Sequence, residues 1–344
     1  MTHLTYLEAA VVGLVQGVSE LFPVSSLGHN VLIPALIGGQ WAADLNVAEV
    51  GSPYLTFVVG MHVATAIALL VYFWRDWVRI TSGFFSSLRD RRVETADQRL
   101  AWMIVLATIP VGLVGLVAEH PFRVLFGRPI VAGVFLAING LILIAGERYR
   151  SRASLTADRR AAVSRQAELV MAGGQAAVSP GPGRAPDPGR GPAPAHARTR
   201  PPGHPGQADA IASDRRMSVA GYGKAIVIGS SQILALLAGI SRDGVTMVTG
   251  MTRGLSREDA ARFAFLLSTP VILAAGVLKI PDLFGPLGNG IRGQILLGSI
   301  LSGVGAYFAV RFLVGYLRTR TLTPFGIYCL VAGLASVVYL GFIQ

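Results

Sequence analysis

The sequence contains little cysteine and little charge. Its single cysteine, Cys329, lies in an apolar run, which excludes a disulfide framework and a metal site built from thiolates. Only 14% of the 344 residues are charged and 52% are hydrophobic, a balance far more apolar than that of a soluble domain. No basic region followed by an apolar run and a small-residue cleavage site opens the chain, so we expect no removable signal peptide. The composition predicts an integral membrane protein.

The positive charge is concentrated in one segment. Residues 148–217 contain twelve arginines and five acidic residues, and residues 180–205 hold nine of the nineteen prolines. A tract rich in Pro, Gly and Arg cannot bury enough apolar surface to offset its ordering entropy, so we predict a disordered, basic cytoplasmic insert at 148–217. Its composition favours a solvated tether near anionic lipid, and we expect no nucleic-acid partner.

Six apolar runs are long enough to cross a hydrocarbon core, which requires about 20 residues. They lie at 54–74, 100–118, 129–146, 261–280, 295–316 and 324–342. Two further apolar segments, 4–37 and 220–249, are each interrupted by small and polar residues, PVSSLG at 23–28 and AGISRDG at 238–244. Non-helical backbone at membrane depth requires burial in protein or a cavity, so each segment predicts a re-entrant helix-loop-helix hairpin.

The distribution of arginine assigns the two faces of the membrane. Segments 75–92, 253–259 and 318–320 are basic, like the insert, whereas 39–51 has no basic residue. Threading the six spans in order, with each hairpin returning to its own side, places all basic segments on one face, which the positive-inside rule makes cytoplasmic. The first hairpin then enters from outside and the second from inside.

Hairpins that enter from opposite sides predict an inverted-topology repeat, with residues 1–147 as the first copy and 218–344 as the second. Adding 216 to a position in the first hairpin gives identical residues in the second, among them Gln16 and Gln232, Ser25 and Ser241, and Gly28 and Gly244. The predicted fold is therefore an all-α integral membrane protein with six transmembrane helices and two re-entrant hairpins.

The break of the first hairpin carries acid–base groups. Gln16 and Glu20 lie one helical turn apart and therefore share a face, and Ser25, Ser26 and His29 follow. Ionisable residues within apolar segments are costly to bury and are functional by default. A glutamate close to a histidine and two hydroxyls can position and deprotonate a nucleophile.

The break of the second hairpin carries an anion-binding pattern. Ser241, Arg242 and Thr246 lie among glycines, including Gly244, where backbone N–H groups are free at a helix start. An arginine, hydroxyl donors and a helix N-terminus together form an anion site, most naturally for phosphate. A pocket formed by the two breaks can bind a phosphate and also attack it.

The two breaks carry a resemblance to a known family. QGVSELFPVSSLGH at 16–29, and AGISRDGVT at 238–246 followed by RGLSREDAARFAFLLSTP at 253–270, resemble the signature regions of the undecaprenyl-diphosphate phosphatase (bacitracin-resistance) family. That family hydrolyses undecaprenyl diphosphate to the monophosphate carrier of cell-wall synthesis at the outer face of the bacterial plasma membrane. The resemblance implies this activity, this polyprenyl diphosphate lipid as partner, and a divalent cation, Mg²⁺ or Ca²⁺.

The resemblance also assigns residues. It implies catalytic roles for Glu20, Ser26, His29 and Arg242, substrate contacts by Gln16, Ser25, Ser241, Gly244 and Thr246, and a metal held by Glu20 and Gln16. Two positions depart from the family pattern, since Ala238 replaces the usual proline and Asp243 the usual serine. Beside the phosphate-binding arginine, the extra carboxylate either repels substrate or helps to hold the metal.

Several alternatives remain open at this point. The nucleophile is Ser26, water or His29, and His62 lies in a span from which it can approach the pocket. A transporter or flippase of a polyprenyl phosphate uses the same repeat and anion site. The acid-phosphatase type of lipid phosphatase needs a second histidine about five residues after its arginine, and Met247 stands there. The sequence also leaves a homodimer open.

Overall fold

A computed structural model describes residues 4–45, 53–126, 128–176, 207–285 and 290–342. The chain divides into two units, residues 1–147 with 204–344 and residues 148–203. Within the described ranges the chain is helical and contains no strand. The predicted all-α class is confirmed.

The first half of the chain contains seven of the helices that the structure describes. Their bounds are α1 Tyr6–Leu21, α2 Ser26–Ile37, α3 Gly39–Asp44, α4 Pro53–Tyr72, α5 Trp74–Asp90, α6 Ala96–Phe126 and α7 Pro129–Ala176. Helix α1 begins at a capping box, because the Glu8 backbone N–H donates to Thr5 Oγ1 at 3.2 Å and the Thr5 N–H donates to Glu8 Oε2 at 2.7 Å. The first break separates the end of α1 at Leu21 from the start of α2 at Ser26, as predicted.

The second half begins after residue 206 in the described part of the chain. Its helices are α8 Gln207–Ser218, α9 Tyr222–Ser230, a 3₁₀ helix Ser231–Leu236, α10 Arg242–Thr252, α11 Arg257–Phe284, α12 Arg292–Thr319 and α13 Thr323–Phe342. The second break separates the 3₁₀ helix from α10, again where small and polar residues interrupt the apolar run.

Five helices within the described ranges are individually long and apolar enough to cross a membrane. They are Ala96–Ala118, Pro129–Ala153, Arg257–Leu278, Arg292–Thr319 and Thr323–Phe342. Two bent pairs pass the same test jointly, α4 from Thr56 with α5, bent by 86°, and α8 with Tyr222–Leu236, bent by 98°. The fold is that of a multi-pass membrane protein with five to seven candidate spans.

The helices of the two halves pack on each other reciprocally. Helix α1 packs along α12, and a Cβ on Gly13 would lie 2.6 Å from the Gly298 carbonyl oxygen, so only glycine permits this approach. Helix α9 packs along α6, where a Cβ on Gly229 would collide with the backbone of Ala107. Gly13 and Gly229 are related by the 216-residue offset, so equivalent positions make equivalent close contacts.

A group of buried ion pairs joins α5, α6, α8 and α11, and we call it the ion-pair cluster. Asp214 of α8 accepts from Arg79 and, at 3.0 Å, from Arg262 Nε. Arg79 Nη1 also donates to Asp97 at 2.6 Å, and Arg262 Nη2 lies 2.9 Å from Asp76. Only 1% of the Asp214 side chain is exposed. Charges buried to this extent are tolerated because each one is paired.

The prediction of disorder for 148–217 is wrong at both ends of that segment. Helix α7 continues past residue 148 to Ala176, and residues 207–217 belong to α8, which the ion-pair cluster holds. Arg216 Nη2 adds a 2.7 Å contact to Asp259 of α11. Composition alone misled here, because Asp214 and Arg216 of α8 find oppositely charged partners far away in the chain. Residues 177–206, which include the whole proline tract, lie outside the described residues.

We expect Asp214→Asn to destabilise the fold. The substitution leaves Arg79 and Arg262 buried with one fewer carboxylate, at a cost of about 3 kcal/mol. Thermal unfolding in detergent should then shift down by on the order of 5–10 °C. The matched control is Asp209→Asn on the same helix, because Asp209 is 40% exposed and its pair with Arg318 is 3.8 Å long. Equal unfolding temperatures for the two variants would contradict a structural role of the cluster.

Candidate active site

The two breaks lie against each other. A Cβ on Gly28, at the start of α2, would lie 2.9 Å from the Cα of Gly239, which precedes α10. Gly239 has φ of 109°, a conformation that side chains disfavour. The small residues that interrupt the two apolar segments therefore allow two stretches of backbone to meet inside the protein.

Asn139 of α7 connects the two breaks through its side-chain amide. Its Nδ2 donates to the Pro23 carbonyl at 2.9 Å, and its Oδ1 accepts from the Ser241 backbone N–H at 3.0 Å. The residue is fully buried. The sequence analysis did not identify Asn139, although an amide within a predicted span was a signal that it binds inside the protein.

Ser25 and Ser241 act as helix caps. Ser25 Oγ accepts from the Gly28 N–H at 3.2 Å, and Ser241 Oγ accepts from the Gly244 N–H at 3.1 Å. These bonds satisfy N–H groups that would otherwise be unpaired at the starts of α2 and α10. Thr246 Oγ1 donates to the Arg242 carbonyl at 2.7 Å. The predicted substrate contacts of these side chains thus compete with local structural bonds.

Glu20 is the centre of the site. Its Oε1 pairs with the Arg242 guanidinium, and its Oε2 accepts from Ser26 Oγ and, at 2.8 Å, from Gln16 Nε2. The Glu20 side chain is 3% exposed, while 18% of the Arg242 side chain is exposed. The structure therefore brings together four of the predicted residues, and the guanidinium retains access to a ligand.

His62 of α4 also faces Glu20. Its Nε2 lies 3.3 Å from Glu20 Oε2 and 3.3 Å from Gln16 Nε2. Its Nδ1 lies 2.8 Å from the Val58 carbonyl, which can only accept, so Nδ1 carries a hydrogen. Asn30 Nδ2 in turn donates to Gln16 Oε1 at 2.7 Å. His62 is thus the histidine in direct contact with the central carboxylate.

His29 contacts a backbone carbonyl and a tyrosine. Its Nδ1 lies 2.7 Å from the Ser25 carbonyl, and its Nε2 lies 2.7 Å from the Tyr328 hydroxyl of α13, with the two rings stacked. Because the carbonyl fixes hydrogen on Nδ1, Nε2 of the neutral ring accepts from the tyrosine. Neither of these bonds reaches Ser26 or Glu20, and the sequence analysis did not identify Tyr328.

Asp243 is hydrogen-bonded to α11. It is fully buried, and its Oδ1 accepts from Ser268 of α11. The departure from the family pattern therefore places a carboxylate beside α11, and no described contact links it to Glu20.

A metal would find few protein donors in the site. The described residues contain no group of three or more His, Cys, Asp or Glu side chains that could hold an ion. Glu20 offers one carboxylate, whereas the Gln16 carbonyl oxygen already accepts from Asn30. One carboxylate fits the mode in which Mg²⁺ is bound mainly by substrate phosphates and water.

Comparison with known proteins identifies the family of this chain. The profile of the family described as "Bacitracin resistance protein BacA" matches residues 9–185 and 206–335. The chain belongs to the BacA family. The BacA match includes both breaks and all residues that contact Glu20.

Curated relatives cover almost the whole chain. An "Undecaprenyl-diphosphatase" of Mycolicibacterium paratuberculosis is 55% identical over 98% of both chains. An "Undecaprenyl-diphosphatase 2" of Frankia alni is 53% identical over 97% of both. A protein of the same name from Chromobacterium violaceum is 35% identical over 97% of this chain and 98% of its own. These alignments thus extend over the region between α7 and α8, of which the BacA profile leaves residues 186–205 unmatched.

Proposed function

We infer that this chain hydrolyses undecaprenyl diphosphate to undecaprenyl phosphate and inorganic phosphate, recycling the lipid carrier of cell-wall synthesis, and that it confers bacitracin resistance. One observation carries this inference, namely that the Ser26 hydroxyl and the Arg242 guanidinium meet on the single carboxylate of Glu20. A nucleophile, its base and an anion-binding group are thereby in contact. A transporter would need the arginine but not the paired hydroxyl.

The decisive measurement is phosphate release from defined undecaprenyl diphosphate by the purified chain in detergent, where no vectorial transport exists. We expect turnover that saturates with substrate. A folded protein that binds the lipid but releases no phosphate would favour the transporter over the enzyme.

In the proposed mechanism Arg242 binds the terminal phosphate and stabilises the charge that develops on it. Ser26 Oγ attacks the terminal phosphorus while its proton passes to Glu20. The P–O bond to the bridging oxygen breaks, and undecaprenyl phosphate leaves as an anion. Water then hydrolyses the phosphoserine, releasing inorganic phosphate and restoring the Ser26 hydroxyl. Glu20 suits both steps, since it passes the serine proton to the leaving undecaprenyl phosphate and in the second step takes a proton from water and returns it to Ser26 Oγ.

The two histidines have separate roles in this proposal. His62 exchanges a proton with Glu20, because only 3.3 Å separate its Nε2 from the carboxylate. His29 is oriented by the Ser25 carbonyl and by Tyr328, at the start of the helix that carries Ser26. Because both ring nitrogens are engaged in these contacts, His29 supports the start of α2 rather than acting as the base on Ser26.

A divalent cation, Mg²⁺ or Ca²⁺, is proposed to bind with the substrate. Glu20 would hold it, and Gln16 would join only after turning its amide away from Asn30. Bound there, the ion would lower the negative charge of the diphosphate that the nucleophile meets. Among the residues that contact one another at this site in the described part of the chain, Glu20 is the only one with a carboxylate.

We also propose the finer topology, in which α4 and the five long spans cross the bacterial plasma membrane and the two hairpins are re-entrant. The reciprocal packing of α1 on α12 and of α9 on α6 supports an inverted repeat. The absence of basic residues from 39–51, directly after the first hairpin, supports a site open to the outer face.

We expect His62→Gln to lower turnover about a hundredfold, because glutamine keeps a polar group beside Gln16 but cannot take a proton. The matched variant is Tyr328→Phe, which removes only the hydroxyl that orients His29 and should cost about tenfold. Phosphate release under saturating substrate measures both. A normal rate for His62→Gln, with a large loss in Tyr328→Phe, would move the acid–base role to His29.

A further inference from the structure

Helix α5 presents three distinct faces along its length. One face is buried against α6, where Ile80, Gly83 and Ser87 are covered and Trp102 Nε1 donates to Ser87 Oγ at 3.0 Å. This contact fixes the rotation of the helix about its own axis. The other two faces are therefore held in defined directions.

The second face is apolar and uncovered. Trp74, Val78, Phe85 and Leu88 are 55%, 61%, 63% and 48% exposed, and we call them the α5 stripe. Their spacings of four, seven and three residues place them on one side of a helix. Such a continuous apolar stripe is unfavourable in water.

The third face is polar and basic. Arg75, Ser82 and Arg89 are exposed beside the stripe, and Arg91 and Arg92 follow the end of the helix. The Arg75 guanidinium lies 5.3 Å from the centre of the Trp74 ring. Arginine and tryptophan side by side are typical of a membrane–water interface, where the ring lies at the headgroup level and the guanidinium reaches phosphate.

The bend between α4 and α5 sets the direction in which α5 runs. Helix α4 ends at Tyr72, α5 begins at Trp74, and the two axes differ by 86°. With α4 across the bilayer, as the proposed topology has it, α5 runs along the membrane surface. A helix in that plane can place an apolar side in the acyl region and a basic side among headgroups.

We propose that α5 is an in-plane membrane helix whose stripe inserts into the cytoplasmic leaflet and whose arginines bind anionic phospholipid headgroups. The bend supplies the orientation, and the arginines beside the stripe supply complementarity to negative charge rather than to an apolar protein surface. This surface is separate from the catalytic contacts at Glu20. Through Asp76 and Arg79, the same helix also belongs to the ion-pair cluster.

The insertion is tested with single spin labels on the full chain in nanodiscs of mixed phosphatidylglycerol and phosphatidylcholine. Labels on Val78→Cys and Phe85→Cys should be accessible to oxygen and shielded from an aqueous nickel chelate. Ser82→Cys and Arg89→Cys, on the polar face, are the matched controls and should show the reverse. A stripe open to nickel would overturn the proposal, as would a stripe shielded from both reagents, which would mean that protein covers it.

The lipid preference is tested with brominated phospholipids that quench tryptophan fluorescence. The signal of Trp74 is isolated as the difference between the wild-type chain and Trp74→Phe. Brominated phosphatidylglycerol should quench it at about fivefold lower mole fraction than brominated phosphatidylcholine, a ratio that corresponds to about 1 kcal/mol, the contribution of one arginine near the membrane surface. The preference should be lost in the double variant Arg75→Gln, Arg89→Gln. Equal quenching of the wild type by both lipids would refute anionic binding, whatever the catalytic activity.

Discussion

Glu20→Gln is expected to lower turnover at least a thousandfold while leaving the protein folded. Glutamine has the shape of glutamate but cannot accept the Ser26 proton, and it no longer neutralises Arg242 before substrate binds. Loss of an acid–base group costs about 10²–10⁴ in rate, and loss of the charge partner adds to it. Phosphate release from undecaprenyl diphosphate measures the effect, with thermal unfolding as the check on structure.

Glu8→Gln provides the matched control for Glu20→Gln. Glu8 is also a buried carboxylate of α1, but it closes the capping box with Thr5, a role that glutamine can fill. Its turnover should stay within about twofold of wild type. A Glu20→Gln enzyme that keeps a tenth of the wild-type rate would show that another group takes the proton.

Ser26→Ala is expected to lower turnover about a thousandfold or more, because no other group can form the phosphoseryl intermediate. Rapid quenching of the wild-type enzyme with substrate labelled in the terminal phosphate should trap label on the protein. If water attacks instead, the variant should lose only about ten- to a hundredfold, through one missing hydrogen bond, and no label should be trapped.

Ser25→Gly is the control for Ser26→Ala, because it removes the helix-cap side chain and keeps the proposed nucleophile. Ser25 has φ of 68°, which glycine adopts without strain, and glycine at an N-cap costs only a few tenths of a kcal/mol. The backbone carbonyl that holds His29 is retained. Turnover within about threefold of wild type would assign the large loss in Ser26→Ala to the Ser26 hydroxyl alone.

The sequence predicted the hairpin breaks well because the signal there is local. Small and polar residues interrupt apolar runs at 23–28 and 238–244, and the helices stop and restart at those places. Helix α5 was predicted only as a basic segment. The spacing of its apolar residues indicates one exposed side of a helix, but the sequence analysis used only the positive charge of Arg75, Arg89, Arg91 and Arg92.

Two parts of the site could be predicted, namely contacts within one motif and the meeting of the two breaks, which brings Arg242 to Glu20. Glu20 and Gln16 share a helix face, so their pairing followed from spacing. His62, Asn139 and Tyr328 reach the site through packing between distant helices, and no short-range pattern reports such contacts. The same reason explains the error at α8, where Asp214 is ordered by partners from α5 and α11.

The packing of α1 on α12 has a consequence for biogenesis. Gly298 is synthesised roughly 285 residues after Gly13, on the order of 15–60 s later at ~5–20 residues per second. Throughout that interval the first hairpin lacks α12, and for most of it the chain does not yet contain Arg242, which neutralises Glu20. The catalytic centre is therefore among the last parts of the molecule to mature. A ribosome stalled before α10 would leave in the membrane a hairpin whose central carboxylate lacks its arginine partner.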